Sequence, residues 1–195
     1  MIPRLADLLS LTLRDPRRGF RAVLSLGIPL PARTAGLLLM SVASTVVSHL
    51  GFLMLPATDD PIAQFLTASP FRTALVQWLL LSVTAWLIYR VGRARGGTGS
   101  LPDALLLVVW LQVPMLGVQV IQLLAFAMVQ PLAGLISMAG LVLFLWLLTS
   151  FIAELHGFAS RGAVLAGILI TSFAVGVVLV IVLSLLIGPE AATNV

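Results

Sequence analysis

Long stretches of apolar residues without any charge set the pattern of this chain. They cover residues 34–58, 73–89, 104–153 and 162–189. A transmembrane helix needs about 20 mostly apolar residues, so each of the three shorter windows predicts one span. The window 104–153 would be about 75 Å long as a single helix and must fold back on itself. Pro131 in "MVQPLAG" marks the break, because it disfavours helical geometry at Gln130 and suits the first turn of the next helix.

The pattern therefore predicts five membrane-spanning helices. They lie near residues 34–55, 71–90, 103–129, 132–154 and 163–188. Composition agrees, since 60% of the 195 residues are hydrophobic and 9% are charged, against about 25% charged residues in a soluble domain. We predict an all-α, polytopic membrane protein in three parts. These are an amphipathic helical segment over 1–33, a five-helix membrane domain over 34–188 and a short outer tail over 189–195.

The positive charges predict the orientation of the chain. All eleven basic residues are arginines, and ten fall on one side of a five-span topology. That side holds Arg4, Arg14, Arg17, Arg18, Arg21, Arg33, Arg90, Arg93, Arg95 and Arg161, and the other side holds Arg72. By the positive-inside rule the N-terminus is cytoplasmic and the C-terminus lies outside, in what we expect to be a bacterial inner membrane. Because the arginines flank spans, the basic composition does not predict a nucleic-acid partner.

The first 33 residues are typical of two short amphipathic helices. One face of the first helix holds Leu5, Leu8, Leu9 and Leu13. In the second, Asp15 is a suitable N-cap and Pro16 a suitable first-turn residue. Its apolar face lies opposite Arg17, Arg18 and Arg21, which we interpret as contacts to anionic lipid headgroups. The alternative is a helix packed on the membrane bundle.

Three ionisable residues interrupt the apolar pattern in "SFIAELHGFASRGAVLAG", residues 150–167. Glu154 and His156 are two positions apart and point about 200° away from each other on a helix, so they cannot easily share a proton or a substrate. Gly157 favours a left-handed end to the helix. We predict a structural hairpin turn in which Glu154 pairs with Arg161 or the second-loop arginines and His156 is solvated at the membrane rim.

No catalytic, metal or cofactor site is predicted. The chain has no cysteine, which excludes thiolate ligands and nucleophiles. His49 and His156 lie toward opposite membrane surfaces and cannot ligate one ion. His49 continues a stripe of small hydroxylated residues that is typical of helix packing. A pH-sensing or transport role for His49 is the alternative.

The third predicted span has an unusual polar face. Gln112, Gln119 and Gln122 lie within about 80° of one another on a helix, with Pro114 between the first two. Pro114 also frees the carbonyl of Trp110 from its helical bond. Amides inside lipid need partners, so this face meets other helices or water. Two interpretations stay open: a helix–helix contact, or a groove that accommodates a solute or lipid.

Two segments, "GGTGSLPDALLLVVWLQVPML" and "FLWLLTSFIAELHGFASRGAVLAGILIT", resemble the bacterial branch of the Yip-one family, the Ypt- or Rab-interacting membrane proteins. The resemblance covers roughly residues 70–188. The matching positions are Gly96, Gly97, Pro114, Glu154, His156 and Gly157. Relatives in eukaryotes are linked to Rab GTPases, vesicle traffic and membrane shaping, so the resemblance implies a multi-pass organiser or adaptor.

We therefore predict a non-catalytic membrane organiser or adaptor that acts through protein partners or lipids, without a cofactor. The alternative is a transporter or lipid-moving protein that uses the polar third span. A seam of small residues on the fifth span favours close packing, within the bundle or against another protein or a second copy of the chain. This seam consists of Ala163, Gly167, Thr171 and Ala174.

Overall fold

The computed structural model describes residues 4–54, 64–65 and 67–187, with the backbone only for 182–187. Within these residues the long elements are all α-helices. They are α1 (Leu5–Arg14), α2 (Pro16–Ser25), α3 (Leu30–Phe52), α4 (Pro70–Ala94), α5 (Leu101–Met128), α6 (Gln130–His156) and α7 (Arg161–Ile187). The described part contains five helices long and apolar enough to cross a membrane, α3 to α7. The prediction of an all-α fold with five spans is confirmed, while the predicted tail at 189–195 lies outside the described residues.

Several helices extend beyond their charge-free windows. α3 begins at Leu30, with Pro31 in its first turn, rather than near residue 34. Its Arg33 side chain is mostly buried and donates to the Ile28 carbonyl at 2.7 Å and to Asp103 Oδ1 at 2.7 Å. In α3 the charge-free window therefore marks the most apolar part of the helix, and the helix also includes Arg33 because that arginine has partners.

The break between α5 and α6 is a single residue. Val129 leaves the helical region with φ −146° and ψ 90°, while Gln130 already begins α6 and Pro131 stands in its first turn. The expectation that Gln130 forms the break is therefore wrong by one position. Pro114 lies inside α5, is buried, and does not divide the helix.

α5 is the centre of the unit that runs to Phe158. It packs against α3, α4 and α6, while α2 packs on α6 and α5. Leu107 of α5 and Leu147 of α6 are completely buried, and Ala85 of α4 is equally shielded. The large outward-facing residues of the spans are apolar, as lipid contact requires.

The second compact unit runs from Ala159 and is described here by itself. Its described part contains α7, whose first turn is capped by Ser160, with the Ser160 hydroxyl accepting the Ala163 N–H at 3.2 Å. Its Ile170 and Phe173 side chains are exposed.

Candidate functional site

The first candidate region is the arginine-rich end of the helices, at which α3 and α5 begin and α4 and α6 end. Polar side chains in this region have defined hydrogen-bond and salt-bridge partners. The α1–α2 pair is fixed here by local signals in its own sequence. The Asp15 carboxylate accepts the Arg18 N–H at 3.1 Å, and Pro16 begins α2. The two helices touch closely at Gly19, where an added Cβ would lie 2.5 Å from the Cα of Thr12.

The apolar face of α2 packs on protein. Phe20 is completely buried, and its ring stacks on Phe151 of α6 with centroids 5.0 Å apart. Val23 is 1% exposed. Of the two interpretations of this face, the structure has the helix packed on the bundle, because the predicted lipid-facing side chains fill the core against α6.

The three predicted headgroup contacts of α2 all have partners within the chain. Arg17 donates to the Phe158 carbonyl at 3.0 Å, Arg21 Nε lies 2.6 Å from Glu154 Oε1, and Arg18 pairs with Asp15 at 3.2 Å. The hydrogen bond and the charge of Glu154 raise the pKa of Arg21, so the guanidinium stays protonated. Arg18 and Arg21 remain largely exposed, and their contact with lipid stays a prediction.

α1 is held through a hydroxyl relay that the sequence pattern did not indicate. The Thr12 hydroxyl donates to the Leu8 carbonyl at 2.7 Å and accepts the indole N–H of Trp110 at 3.1 Å. The buried face of α1 is therefore Leu8 and Thr12. Leu5 and Leu13, predicted on the same face as Leu8, are 58% and 46% exposed. The pattern of apolar residues does not predict the contact between α1 and Trp110, because the residue at its centre is a polar threonine.

His156 is buried, which contradicts the expectation of a solvated rim residue. Its side chain is 3% exposed, Nδ1 accepts the Gly99 N–H at 3.2 Å, and Nε2 lies 3.1 Å from the Ile88 carbonyl. These bonds require the neutral tautomer with the proton on Nε2. Cβ atoms added at Gly92 and Gly97 would overlap the imidazole. The histidine therefore joins α4, the α4–α5 loop and α6.

The hairpin turn after α6 is formed by Gly157 and Phe158. Gly157 has φ 73° and ψ 24°, and the Phe158 N–H donates to the Ala153 carbonyl at 2.8 Å, which is the Schellman pattern. Glu154 pairs with Arg21 of α2. The prediction that Glu154 pairs with Arg161 or the second-loop arginines is wrong, because the salt bridge of Glu154 is formed with Arg21, which α2 places beside the turn.

The second region is a groove between α4, α5 and α6, toward the opposite end of these helices. It has a volume of about 330 Å³. Its lining includes the predicted Gln112, Gln119 and Gln122 together with Gln77, Ser137 and Gly140. The Gln122 amide donates to the Ser137 hydroxyl at 2.7 Å, whereas Gln119 Oε1 is shielded from solvent and has no partner among the described residues.

Both interpretations of the glutamine face thus have a structural counterpart: Gln122 makes a helix–helix bond, and the stripe lines a groove. Pro114 is buried and is not among the lining residues. Gln77 and Ser137 were missed, because neither belongs to a stripe of amides on its own helix that would mark a polar face.

The described residues offer little acid–base chemistry. No three residues among the described His, Asp and Glu could hold a metal ion together. Glu154 is paired with Arg21, and His156 is bonded to backbone groups. His49 Nδ1 lies 3.3 Å from the Thr45 carbonyl in α3. The described residues offer bonded and ion-paired side chains at the arginine-rich end and a groove lined by uncharged polar and apolar side chains.

The family model of the Yip1 domain matches residues 11–183. This range contains α2 to α6, most of α7 and all the groove residues. No curated protein and no solved structure matches the chain. Since the match covers most of the sequence, the chain belongs to the Yip1 family of membrane proteins.

Proposed function

We propose that this Yip1-family protein is a non-catalytic membrane organiser whose α1–α2 pair lies in the headgroup layer of the cytoplasmic leaflet and engages its lipids. The observation that carries the proposal is the bond from Trp110 to Thr12, because it fixes the depth of α1 against a spanning helix.

The depth of α1 in the membrane follows from the geometry of α5. α5 has 28 residues, which gives a length of about 42 Å against a hydrocarbon core of about 30 Å. A centred helix therefore extends about 6 Å beyond the core at each end. Trp110 lies about 14 Å from the start of α5, roughly 8 Å inside the core, and its side chain points back toward that start. Thr12 then lies near the boundary between headgroups and acyl chains.

Exposed side chains around the pair suit this position. Leu5 and Leu13 are exposed apolar residues on α1, and Leu26 and Leu30 are exposed where the pair connects to α3. Exposed Arg14 and Arg18 lie on the same two helices. An apolar flank beside arginines is the usual composition of a helix at an anionic surface. The packed face and the lipid-facing flank are therefore different sides of the same pair.

The test uses single labelling sites in the full-length protein, which has no native cysteine. A fluorophore at Leu13→Cys, in nanodiscs with anionic lipid, should be quenched by brominated acyl chains. The matched control is Asp7→Cys, an exposed polar position about 120° away from Leu13 on α1, which should be quenched by aqueous iodide instead. Equal aqueous quenching at both sites would show that the α1–α2 pair lies outside the headgroup layer, and would contradict the proposal.

A second candidate is a transport or lipid-moving role built on the groove. The glutamine lining favours it, since polar grooves between spans are where membrane transporters bind solutes. Reconstituted vesicles distinguish the two functions. A transporter gives a flux that is lost in Gln112→Leu or Gln122→Leu, whereas an organiser retains copurifying lipids or proteins and gives no flux.

A further inference from the structure

We propose that the groove between α4, α5 and α6 binds a neutral lipid that carries a free hydroxyl, of the diacylglycerol type. The inference deepens the second candidate function by naming its ligand. It does not need the lipid to move, so a protein without flux can still bind.

The position of the groove places it within reach of acyl-chain lipids. Gln77 lies seven residues after Pro70, the start of α4, and Gln122 lies six residues before Met128, the end of α5. These distances are about 9–11 Å along each helix from the end opposite the arginine-rich end. About 4 Å of α4 and about 6 Å of α5 extend beyond the core at this end, so the part of the groove near Gln77 and Gln122 lies just below the lipid ester groups.

The polar residues that line the groove disfavour a charged ligand. The polar side chains that line the groove are four glutamine amides and one serine hydroxyl: Gln77, Gln112, Gln119, Gln122 and Ser137. Among the described residues no ionisable side chain lines it, so a phosphate or ammonium group would meet no counter-charge from them, which is costly in a low-dielectric site. A hydroxyl and ester carbonyls carry no such cost and match amide donors and acceptors.

One atom of the site lacks the partner that such a ligand supplies. Gln119 Oε1 is an acceptor shielded from solvent and without a hydrogen-bond donor among the described residues. Rotation about the last torsion of a glutamine side chain is soft, so the amide can turn its oxygen toward the groove. A lipid hydroxyl is a donor and would satisfy it, while neighbouring ester carbonyls would accept from the other amides.

Apolar residues complete the site. Met115, Leu141 and Phe144 line the same groove, and Leu141 is 56% exposed at the protein surface. The volume of about 330 Å³ is at the small end for ligand sites and is enough for a glycerol backbone with the first chain carbons. The remaining acyl chains would lie along the apolar surface of the helices. A soluble polar solute would not use this apolar border.

The experiment uses the full-length protein in nanodiscs that contain a photoactivatable diacylglycerol or, in a parallel sample, a phosphatidylcholine with the same photoactivatable chain. Wild type should crosslink diacylglycerol in α5 and α6 around Met115 and Leu141, and phosphatidylcholine should label these positions much less. Gln119→Met keeps the side-chain volume but removes the amide, and should weaken diacylglycerol labelling by about five-fold, the effect of one buried hydrogen bond.

The matched control is Gln130→Met, which makes the same change at an exposed amide outside the groove lining and should label like wild type. If Gln119→Met does not fold, Gln112→Met serves in its place, with thermal unfolding checked for each. Equal labelling by the two lipids, or unchanged labelling in the groove variant, would overturn the proposal. Flux measured on the same samples tests the transport function separately, because crosslinking reports binding alone.

Discussion

The arginine-rich end and the glutamine groove belong to the same helices but differ in how the polar groups at their centres are bonded. At the arginine-rich end, both ring nitrogens of His156 have partners, and Glu154 and Arg21 pair with each other. In the groove, Gln122 is bonded but the oxygen of Gln119 has no partner. The difference teaches that His156, Glu154 and Arg21 are held by contacts within the chain, whereas an amide oxygen of the groove has no donor among the described residues.

The largest effect should come from filling the space around His156. Gly92→Val places a side chain on the imidazole and should destabilise the protein by about 3 kcal/mol or prevent its expression. Gly117→Val in α5 is the control, since an added Cβ there meets nothing within 4 Å. Thermal unfolding in detergent measures both, and equal stability of the two variants would show that the glycine contact is not tight.

Removing the imidazole should rank second. His156→Leu leaves the buried Gly99 N–H without a partner, removes the additional bond to the Ile88 carbonyl and should cost about 2–3 kcal/mol. Gly157→Ala strains a left-handed backbone by about 1 kcal/mol and should be milder. This order reverses the one that a solvated histidine would give. Unfolding midpoints of the two variants decide it, and a His156→Leu protein as stable as wild type would contradict the buried contact.

The ion pair of the arginine-rich end should matter less. Arg21→Gln removes the bond to Glu154 but leaves α2 anchored by Phe20, and the pair is open to solvent through Arg21, which is 69% exposed, while Glu154 is 14% exposed. The unfolding temperature should fall slightly at low salt, and the loss should shrink in high salt because exposed pairs are screened. Glu154→Gln is the reciprocal control. A large, salt-independent loss in either variant would mean that the pair is shielded in the membrane.

The smallest effect on stability should come from the groove. Gln119→Met removes an unpartnered oxygen from α5 and should change the free energy of unfolding by less than about 0.5 kcal/mol, or stabilise slightly. Gln122→Met breaks the bond to Ser137 and should cost more than Gln119→Met. Unfolding of the two variants in the same detergent compares them. A strongly destabilised Gln119→Met protein would show that the amide has a structural role.

The sequence predicted those features whose cause is local. The five spans follow from apolar length, the α2 cap from Asp15 and Pro16, and the glycine after α6 from its backbone freedom. The partner of Glu154 could not be predicted, because it lies on α2 and the pattern favoured nearby arginines. Likewise, nothing near His156 in the sequence shows that glycines from the α4–α5 region surround it.

The groove was predicted in part for the same reason. Helical periodicity placed three glutamines on one face of α5, which requires only local geometry. Their neighbours Gln77 and Ser137 come from other helices. Which of the amides obtains a partner depends on the relative rotation of three helices, and periodicity within one helix does not contain that information.

The contacts of Phe20 and Arg21 have a consequence for biosynthesis. Their partners, Phe151 and Glu154, are among the last residues of α6, and helices are inserted into the membrane in the order of synthesis. While the ribosome makes α3, α4 and α5, the nascent chain has an aromatic helix face without its partner. Contacts of such long sequence separation form slowly. The contacts that hold α2 against α6 can therefore form only after translation has passed Glu154.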